Sequence, residues 1–169
     1  MPSTRFHLAQ ANIAHMRAPL EDPIMEGFRL QLDRINAVAD ASSGFVWRLQ
    51  TEAGDATGIR AYDDPRILFN MSVWESIEAL HAYVYRSEHA GPLRDRRRWF
   101  EPLGAPILVL WWIPAGHIPT IDEARSRFDW LAARGPTADA FTFRQPFAPP
   151  GQPPVTPPEV DAEFCEQAR

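Results

Sequence analysis

The side chains with the clearest potential for chemistry lie on one short run, at Asn70, Ser72 and Trp74. Alternation along a strand puts these three on one face and leaves the other face to the apolar Ile67, Phe69, Met71 and Val73. An amide, a hydroxyl and an indole among apolar neighbours are typical of a pocket wall. Asn70 could hold a substrate carbonyl or a developing oxyanion, and Trp74 could supply an aromatic wall and an N–H donor. In the alternative, Asn70 satisfies a strand bulge and Trp74 is plain core.

His89 is the candidate for proton transfer, because histidine titrates near neutral pH and this one follows a helix in the turn RSEHAG. A hydrogen bond to a local backbone carbonyl is the competing role. His81 lies eight residues earlier, which is not a metal-ligand spacing, so we predict no structural metal site. We expect no cofactor. Haem bound through His89 stays open, because one axial ligand suffices.

Other strands contribute candidate contacts to the same pocket. Asn12 on the first strand shares a face with Gln10, and Arg48 stands in mid-strand beside Trp47. The predicted substrate-binding set is Asn12, Trp47, Arg48, Ser72 and Trp112. Arg94, Arg97 and Arg98 can share one helical side and, with Arg86 nearby, could bind a carboxylate or phosphate, but a solvated helix face is the favoured interpretation.

Bulk properties exclude several classes. The chain has 169 residues and a net charge of −5, which favours one domain and argues against nucleic acid as a partner. A single cysteine, Cys165, excludes an intrachain disulfide. All 17 basic residues are arginine, which excludes Schiff-base chemistry through lysine and a Walker-type phosphate lysine. No secretory signal and no membrane-length apolar run is visible, so a cytoplasmic location is expected.

The order of predicted elements is β-α-β-β-α-(α)-β-α. It predicts an α+β fold, a ferredoxin-like β-α-β-β-α-β sandwich with an antiparallel sheet and an extra C-terminal helix. The strand over 107–113 is apolar on both faces and must be covered on both. Because one sheet face has no evident cover, we predict a homodimer in which two sheets face each other around a cavity. The domain spans 1–147, and the Pro-rich 148–169 is an extended or disordered tail.

Several motifs together resemble one protein family. They are ANIA near the start, GFVWRLQ, NMSVWESIEALHAYVYRSEH, RRRWFEP, LVLWWIPAGHIPT and AFTFRQPF, and they cover residues 6 to 147. The family is a bacterial domain family of uncharacterised function, similar to the antibiotic-biosynthesis monooxygenases of the dimeric α/β-barrel superfamily. Some of those enzymes oxidise aromatic substrates without metal or flavin and use an asparagine and a tryptophan four residues apart on a cavity-lining strand. The resemblance implies that role for Asn70 and Trp74, and a haem-ligand role for His89 by analogy with other members.

The first functional expectation is therefore a cofactor-independent, monooxygenase-like enzyme acting on a small hydrophobic or aromatic metabolite. Its candidate catalytic residues are Asn70, Trp74 and His89. The alternatives are a non-catalytic homodimer that binds a small ligand or serves as a scaffold, and a haem-binding protein that uses His89. Likeness of fold alone does not decide among them.

Overall fold

The computed structural model describes residues 5–86 and 90–159, without the side chains of residue 86 and of residues 90–94. The described strands are β1 (Phe6–Met16), β2 (Phe45–Arg48), β3 (Ile67–Trp74), β4 (Phe100–Glu101) and β5 (Leu108–Pro114). The described helices are α1 (Glu26–Ala41), α2 (Ile77–Arg86), α3 (Ala90–Trp99) and α4 (Ile121–Arg134), and a 3-10 turn (Pro23–Met25) leads into α1. The molecule is thus a mixed α+β structure.

The five strands form one antiparallel sheet with the long β1 near its centre. β3 pairs with β1 along one edge and with β2 on its own far side. The other edge of β1 is shared: Phe6 to Asn12 pair with β5, and His15 and Met16 pair with β4. This arrangement makes β1 and β3 the inner strands, whose side chains can form the floor of a site.

Side-chain caps open three helical segments, although the Asp22 cap belongs to the 3-10 turn and α1 itself begins without a side-chain cap. The Asp22 side chain accepts a hydrogen bond from the Ile24 N–H at 3.0 Å, and the Ser76 hydroxyl accepts one from the Ala79 N–H at 3.1 Å. Thr120 caps α4 in the same way, by accepting from the Glu123 N–H at 3.1 Å. These local signals fix where those segments start, but they do not determine which face of the sheet each helix covers.

One face of the sheet is closed by α4. Its β-strand members are the small or apolar side chains Ala9, Ala11, Ile13, Phe69, Met71, Val73, Val109, Trp111 and Ile113, all buried. Ala124, Phe128 and Leu131 of α4 pack onto them as one apolar stripe. The prediction that one sheet face lacks cover within the chain is therefore wrong, because the extra C-terminal helix supplies it together with Ala61 and Tyr62 of the loop between β2 and β3.

The other face carries Leu8, Trp74, Leu108 and Leu110, which pack with helix residues and with Phe141 and Phe143. Ala39 of α1 and Ile77, Leu80 and Val84 of α2 belong to this cluster. The predicted burial of both faces of β5 is confirmed. Its cover comes from the same chain, so the Asn70 face lies under the chain's own helices and not opposite a second sheet.

The proline-rich segment from residue 148 to 159 has no helix or strand. It runs along the domain, where Val155 packs against the α2-side cluster and His81 contacts the carbonyl of Glu159 through its ring Nε2. Just before it, the Trp112 indole donates to the Phe147 carbonyl at 2.7 Å. This part lacks regular secondary structure, while the extended or disordered tail over 148–169 and the boundary of the domain at residue 147 stay predictions.

Across the described residues, no helix combines the length and the apolar character that crossing a membrane requires.

Candidate ligand-binding cavity

A cavity of about 180 Å³ lies between the sheet and helices α1, α2 and α3. The apolar stripe of α1 supplies one wall through Phe28, Leu32 and Ile35, which are only partly buried because they face this space. α3 and β4 close one end with Trp99 and Phe100. The polar groups that line the cavity include Gln10, Asn12, Asn36, Asn70, Tyr83 and Arg96.

Two asparagines stand side by side on the floor of the cavity. Asn12 of β1 and Asn70 of β3 are direct partners in the antiparallel register. The side-chain oxygen Oδ1 of Asn12 is buried and has no hydrogen-bond partner in the described part of the chain. Asn70 is exposed although it belongs to an inner strand, so the cavity opens to solvent there. The structure brings together the two asparagines that the sequence analysis singled out.

The next pair along the strands, Gln10 and Ser72, is joined by hydrogen bonds within the protein. The Gln10 side-chain N–H donates to the Ser72 hydroxyl at 2.8 Å, and the Trp74 indole N–H donates to the same oxygen at 2.8 Å. All three side chains are buried. Gln10 and Ser72 therefore use their hydrogen bonds within the protein. The Oδ1 atom of Asn12, two residues further along β1, stays available to a ligand.

Trp74 lies behind the cavity wall and does not line the cavity. It is fully buried, and its ring stacks on Tyr83 at a centroid distance of 5.0 Å, with Phe45 against its edge. Tyr83 does line the cavity, and burial raises the pKa of its hydroxyl above the ordinary 10.0. Trp74 therefore supports a neutral cavity-lining tyrosine. The direct roles predicted for Trp74 and Ser72 stay predictions that this geometry does not favour.

Three other predicted contacts lie away from the cavity. Trp47 packs into the apolar cluster on the α4 side of the sheet. The Arg48 guanidinium pairs with both carboxylate oxygens of Asp40, at 2.7 and 3.2 Å, and donates to the Gly54 carbonyl at 2.7 Å. Trp112 is part of the α2-side cluster and uses its indole N–H on the Phe147 carbonyl. Trp47, Arg48 and Trp112 therefore connect parts of the fold through packing and hydrogen bonds and do not line the cavity.

His89, the predicted proton-transfer residue and haem ligand, lies outside the described residues. So do the side chains of Arg86 and Arg94. Within residues 5–86 and 90–159 no cluster of three or more histidine, cysteine or carboxylate side chains could hold a metal ion.

Arg96 is the cavity residue that the sequence analysis missed. It is largely buried, its guanidinium lies 5.5 Å from the centroid of the Phe100 ring, and burial lowers its pKa. The signal was present in the spacing: Arg96 precedes Trp99 by three residues and Phe100 by four, so it shares their buried side. Arg97 and Arg98, which the sequence analysis named instead, are exposed and form the solvated face it favoured.

A family model described as Domain of unknown function (DUF3291) matches residues 7–156. The chain belongs to this family. The match begins one residue into β1 and includes most of the extended segment that follows Phe147. The expected uncharacterised family is thereby confirmed, whereas the similarity to the antibiotic-biosynthesis monooxygenases has no support from the comparisons.

Two solved structures are similar to the chain at low identity. One is a protein of unknown function from Nitrosomonas europaea (NE2512), at 11% identity and a TM-score of 0.42, covering 70% of this chain and 99% of its own. The other is PA3566 from Pseudomonas aeruginosa, at 16% identity and a TM-score of 0.40, covering 69% of this chain and 99% of its own. No curated protein matches the chain.

Proposed function

We propose that this protein binds a small hydrophobic or aromatic molecule in the cavity between its sheet and helices α1 to α3. The single observation that carries the proposal is the pair Asn12 and Asn70 on the floor of an otherwise largely apolar space. Ligand sites combine apolar walls with a few polar groups that fix orientation, and this cavity has that composition.

The size of the cavity sets the size of the guest. An apolar cavity of about 150 Å³ accommodates one benzene ring. At about 180 Å³, the space here suits a single substituted ring, and the opening beside Asn70 leaves room for a larger molecule to protrude. Phe28, Trp99 and Phe100 surround this space with aromatic rings, which favours an aromatic guest over an aliphatic one.

As the finer proposal, the bound molecule is oxidised in a monooxygenase-like reaction without a cofactor. An activated methylene carbon would react with one molecule of dioxygen. Both of its C–H bonds break and a carbonyl forms, so that one oxygen atom enters the product and the other leaves with the two hydrogens as water. Such chemistry requires a substrate carbanion or enolate, and the Asn70 amide and the Arg96 guanidinium are donors that could stabilise its oxygen. The competing candidate is a binding protein with no reaction.

We further propose that the fold is ferredoxin-like, which the strand order β2-β3-β1-β5 and the two helices on one face support. A homodimer, and with it a dimeric barrel, stays a proposal as well. Because α4 occupies the sheet face opposite the cavity, two copies could stack through that face only if α4 moved or were shared. Light scattering on the purified protein tests this, and a monomer at all concentrations would exclude it. A cytoplasmic location likewise stays a prediction.

The test of ligand binding uses two neighbouring positions on α1. Asn36 lines the cavity, whereas Ala37 is exposed on the outer side of the helix. We expect Asn36→Phe to fill the cavity and abolish binding, while Ala37→Phe leaves binding unchanged. Calorimetric titration with indole, benzamide, benzoate and benzylamine measures this. Absence of binding by every probe to the unmodified protein would contradict the proposal.

The test of the reaction is oxygen uptake with an anthrone, which has a methylene flanked by aromatic rings, or with a dihydroxyaromatic. We expect uptake to fall in Asn70→Ala with little change in folding, because the Asn70 side chain is exposed. Binding without oxygen uptake would leave the protein as a ligand-binding module. Haem is tested separately by the visible spectrum after haem titration, with His89→Ala as the control.

A further inference from the structure

The cavity contains a largely buried positive charge that no described carboxylate neutralises. Arg96 lines the cavity, and its one described partner is the face of the Phe100 ring. Among residues 5–86 and 90–159, no carboxylate lies within ion-pair distance of its guanidinium. Buried charges in proteins are normally paired, so one without such a partner calls for an explanation.

The nearest acidic side chains along α3 and in the cavity lining form no ion pair with Arg96 in the described residues. Asp95 is the adjacent residue on α3, and its carboxylate faces Arg98 at 3.8 Å. Asp55 also lines the cavity, but its Oδ1 accepts hydrogen bonds from the backbone N–H and the hydroxyl of Thr57, at 2.8 and 2.6 Å. These bonds hold the Oδ1 atom of Asp55 within its own turn, and no ion pair in the described residues joins Asp55 to Arg96. The Arg96 guanidinium thus brings five N–H donors to a space with an aromatic face beneath them.

The second polar group of the cavity that lacks a described hydrogen-bond partner is an acceptor, whereas Arg96 offers donors. The Oδ1 atom of Asn12 is a buried acceptor without a donor among the described residues, on the strand β1 that Phe100 also contacts through Met16. Ala14 lies between Asn12 and Met16 on this strand and also lines the cavity. No bulky side chain of β1 therefore stands between the Asn12 oxygen and the Arg96 guanidinium. A guest that satisfies both must present an anionic oxygen to Arg96 and an O–H or N–H donor to Asn12.

We propose that the natural ligand is a small aromatic monoanion, a carboxylate or enolate, whose charge pairs with Arg96 and whose hydroxyl or N–H group donates to Asn12. A planar guanidinium over an aromatic ring is suited to a carboxylate, because it can form two parallel hydrogen bonds with it. The aromatic walls then hold the ring of the ligand. This inference rests on the proposed binding function and specifies the class of molecule bound.

The experiment compares matched acids and amides. Benzoate and 3-hydroxybenzoate are titrated calorimetrically against benzamide and 3-hydroxybenzamide, and benzylamine supplies the opposite charge. We expect each acid to bind at least about tenfold more tightly than its amide, as is usual for a charge-assisted pair out of water. 3-Hydroxybenzoate should bind more tightly than benzoate, because its hydroxyl is too far from the carboxylate for an internal hydrogen bond and can donate to Asn12. Equal affinity for acid and amide, or preference for benzylamine, would overturn the inference.

Variants on one helix locate the effect. Arg96→Gln should remove the preference for acids and change the affinity for the amides less than about twofold, since the apolar walls are unaltered. Arg97→Gln is the matched control, because its side chain is exposed on the same helix and should leave both affinities unchanged. Should Arg96→Gln fail to fold, the acid-to-amide comparison in the unmodified protein still decides.

The two proposals fail in different ways. If no probe binds, both the cavity function and the anion class are wrong. If the amides bind as well as the acids and Asn36→Phe abolishes both, the cavity function survives and the anion class is wrong. If acid binding is lost equally in Arg96→Gln and Arg97→Gln, the effect is the overall charge of α3 and the assignment of Arg96 is wrong.

Discussion

The two faces of the sheet are built on the same strands but differ in polarity and in how closely they are packed. On the α4 side, the side chains that β1, β3 and β5 contribute to the closed cluster are all apolar, and all but the partly buried Ile67 are buried. On the opposite side, the same strands present Gln10, Asn12 and Asn70, and the helices above them leave a cavity. The closed face supplies stability in the way protein cores do, by dense apolar packing. The open face keeps polar side chains on its floor and the largely buried Arg96 above them. Burying such groups lowers stability unless they are paired.

This difference separates structure from function within one domain. The α4 face has the composition of plain core, and its polar contacts lie at the rim, where the Trp111 indole donates to Glu123 at 2.9 Å. Among the described residues, the cavity face keeps an unsatisfied oxygen on Asn12 and a charge on Arg96 that no carboxylate pairs. Groups that are costly in the folded protein alone are explained most directly by a ligand that satisfies them.

The largest expected effect is on the closed face. Phe128 of α4 is buried in its cluster, so Phe128→Ala should lower the free energy of unfolding by roughly 3–5 kcal/mol. Phe28 of α1 is only partly buried and faces the cavity, so Phe28→Ala should cost about 1–2 kcal/mol. Urea denaturation of both variants measures the difference. Equal losses would mean that the cavity face is as closely packed in solution as the α4 face.

The next largest effect is expected when a polar side chain of the cavity face is replaced by an apolar one. Asn12→Leu removes an unsatisfied buried oxygen, so we expect stability to stay the same or to rise by about 1 kcal/mol while ligand binding weakens. Gln10→Leu is the matched control two residues away on the same face. It should lower stability by about 0.5–1.5 kcal/mol, because it removes one of the two donors to the buried Ser72 hydroxyl and leaves only the Trp74 indole.

Thermal denaturation and calorimetric titration of the same two variants distinguish these outcomes. A large loss of stability in Asn12→Leu would show that the Asn12 side chain is satisfied within the folded chain, and the contrast between the two faces would weaken. Retained ligand affinity in Asn12→Leu would remove Asn12 from the binding site.

The smallest effect concerns acid sensitivity at the rim of the closed face. Burial by itself raises the pKa of Glu123, but hydrogen bonds from His117 at 2.8 Å and from Trp111 outweigh it, and the net pKa lies below the ordinary 4.5. A lowered folded-state pKa means that the stabilisation is complete above about pH 4.5 and is lost as the pH falls through the lower folded value.

Glu123→Gln should therefore flatten the decline in stability below pH 4.5, by at most about 1 kcal/mol, because the carboxylate is partly solvated. Glu78→Gln, at an exposed position on α2, is the control and should leave that decline unchanged. Urea unfolding measured from about pH 3 to about pH 6 spans the window in which this carboxylate titrates. An identical decline in all three proteins would show that the rim contacts of Glu123 do not contribute.

Much of the local structure follows from sequence patterns. The stripe Met25, Phe28, Leu32, Ile35 and Ala39 predicts α1, and alternation predicts β3 together with its two unlike faces. Alternation within each strand predicts the face on which Asn12 and Asn70 lie, and the structure then pairs them directly. Trp47, Arg48 and Trp112 were expected in the pocket because aromatic and charged side chains in strands suit a site, but the same side chains can equally hold elements together.

The failures have one physical origin. Periodicity shows that an element has an apolar face but not which partner buries it. The amphipathic pattern of α4 is equally compatible with packing on its own sheet and with packing elsewhere, so the missing cover was assigned to a second copy. Arg96 was overlooked for a related reason, since among several basic residues on one helix the buried member is revealed only by what packs against it.

The sequence by itself determined most of the elements and the polar character of one face of β3, because hydrogen bonding along the backbone and side-chain alternation are local. It did not predict the two-residue β4 or the 3-10 turn before α1. Only the tertiary structure decided that α4 covers one sheet face and that α1, α2 and α3 leave a cavity over part of the other. Whether two apolar surfaces meet or leave space depends on side chains far apart in the chain. That choice places Asn12, Asn70 and Arg96 around one cavity.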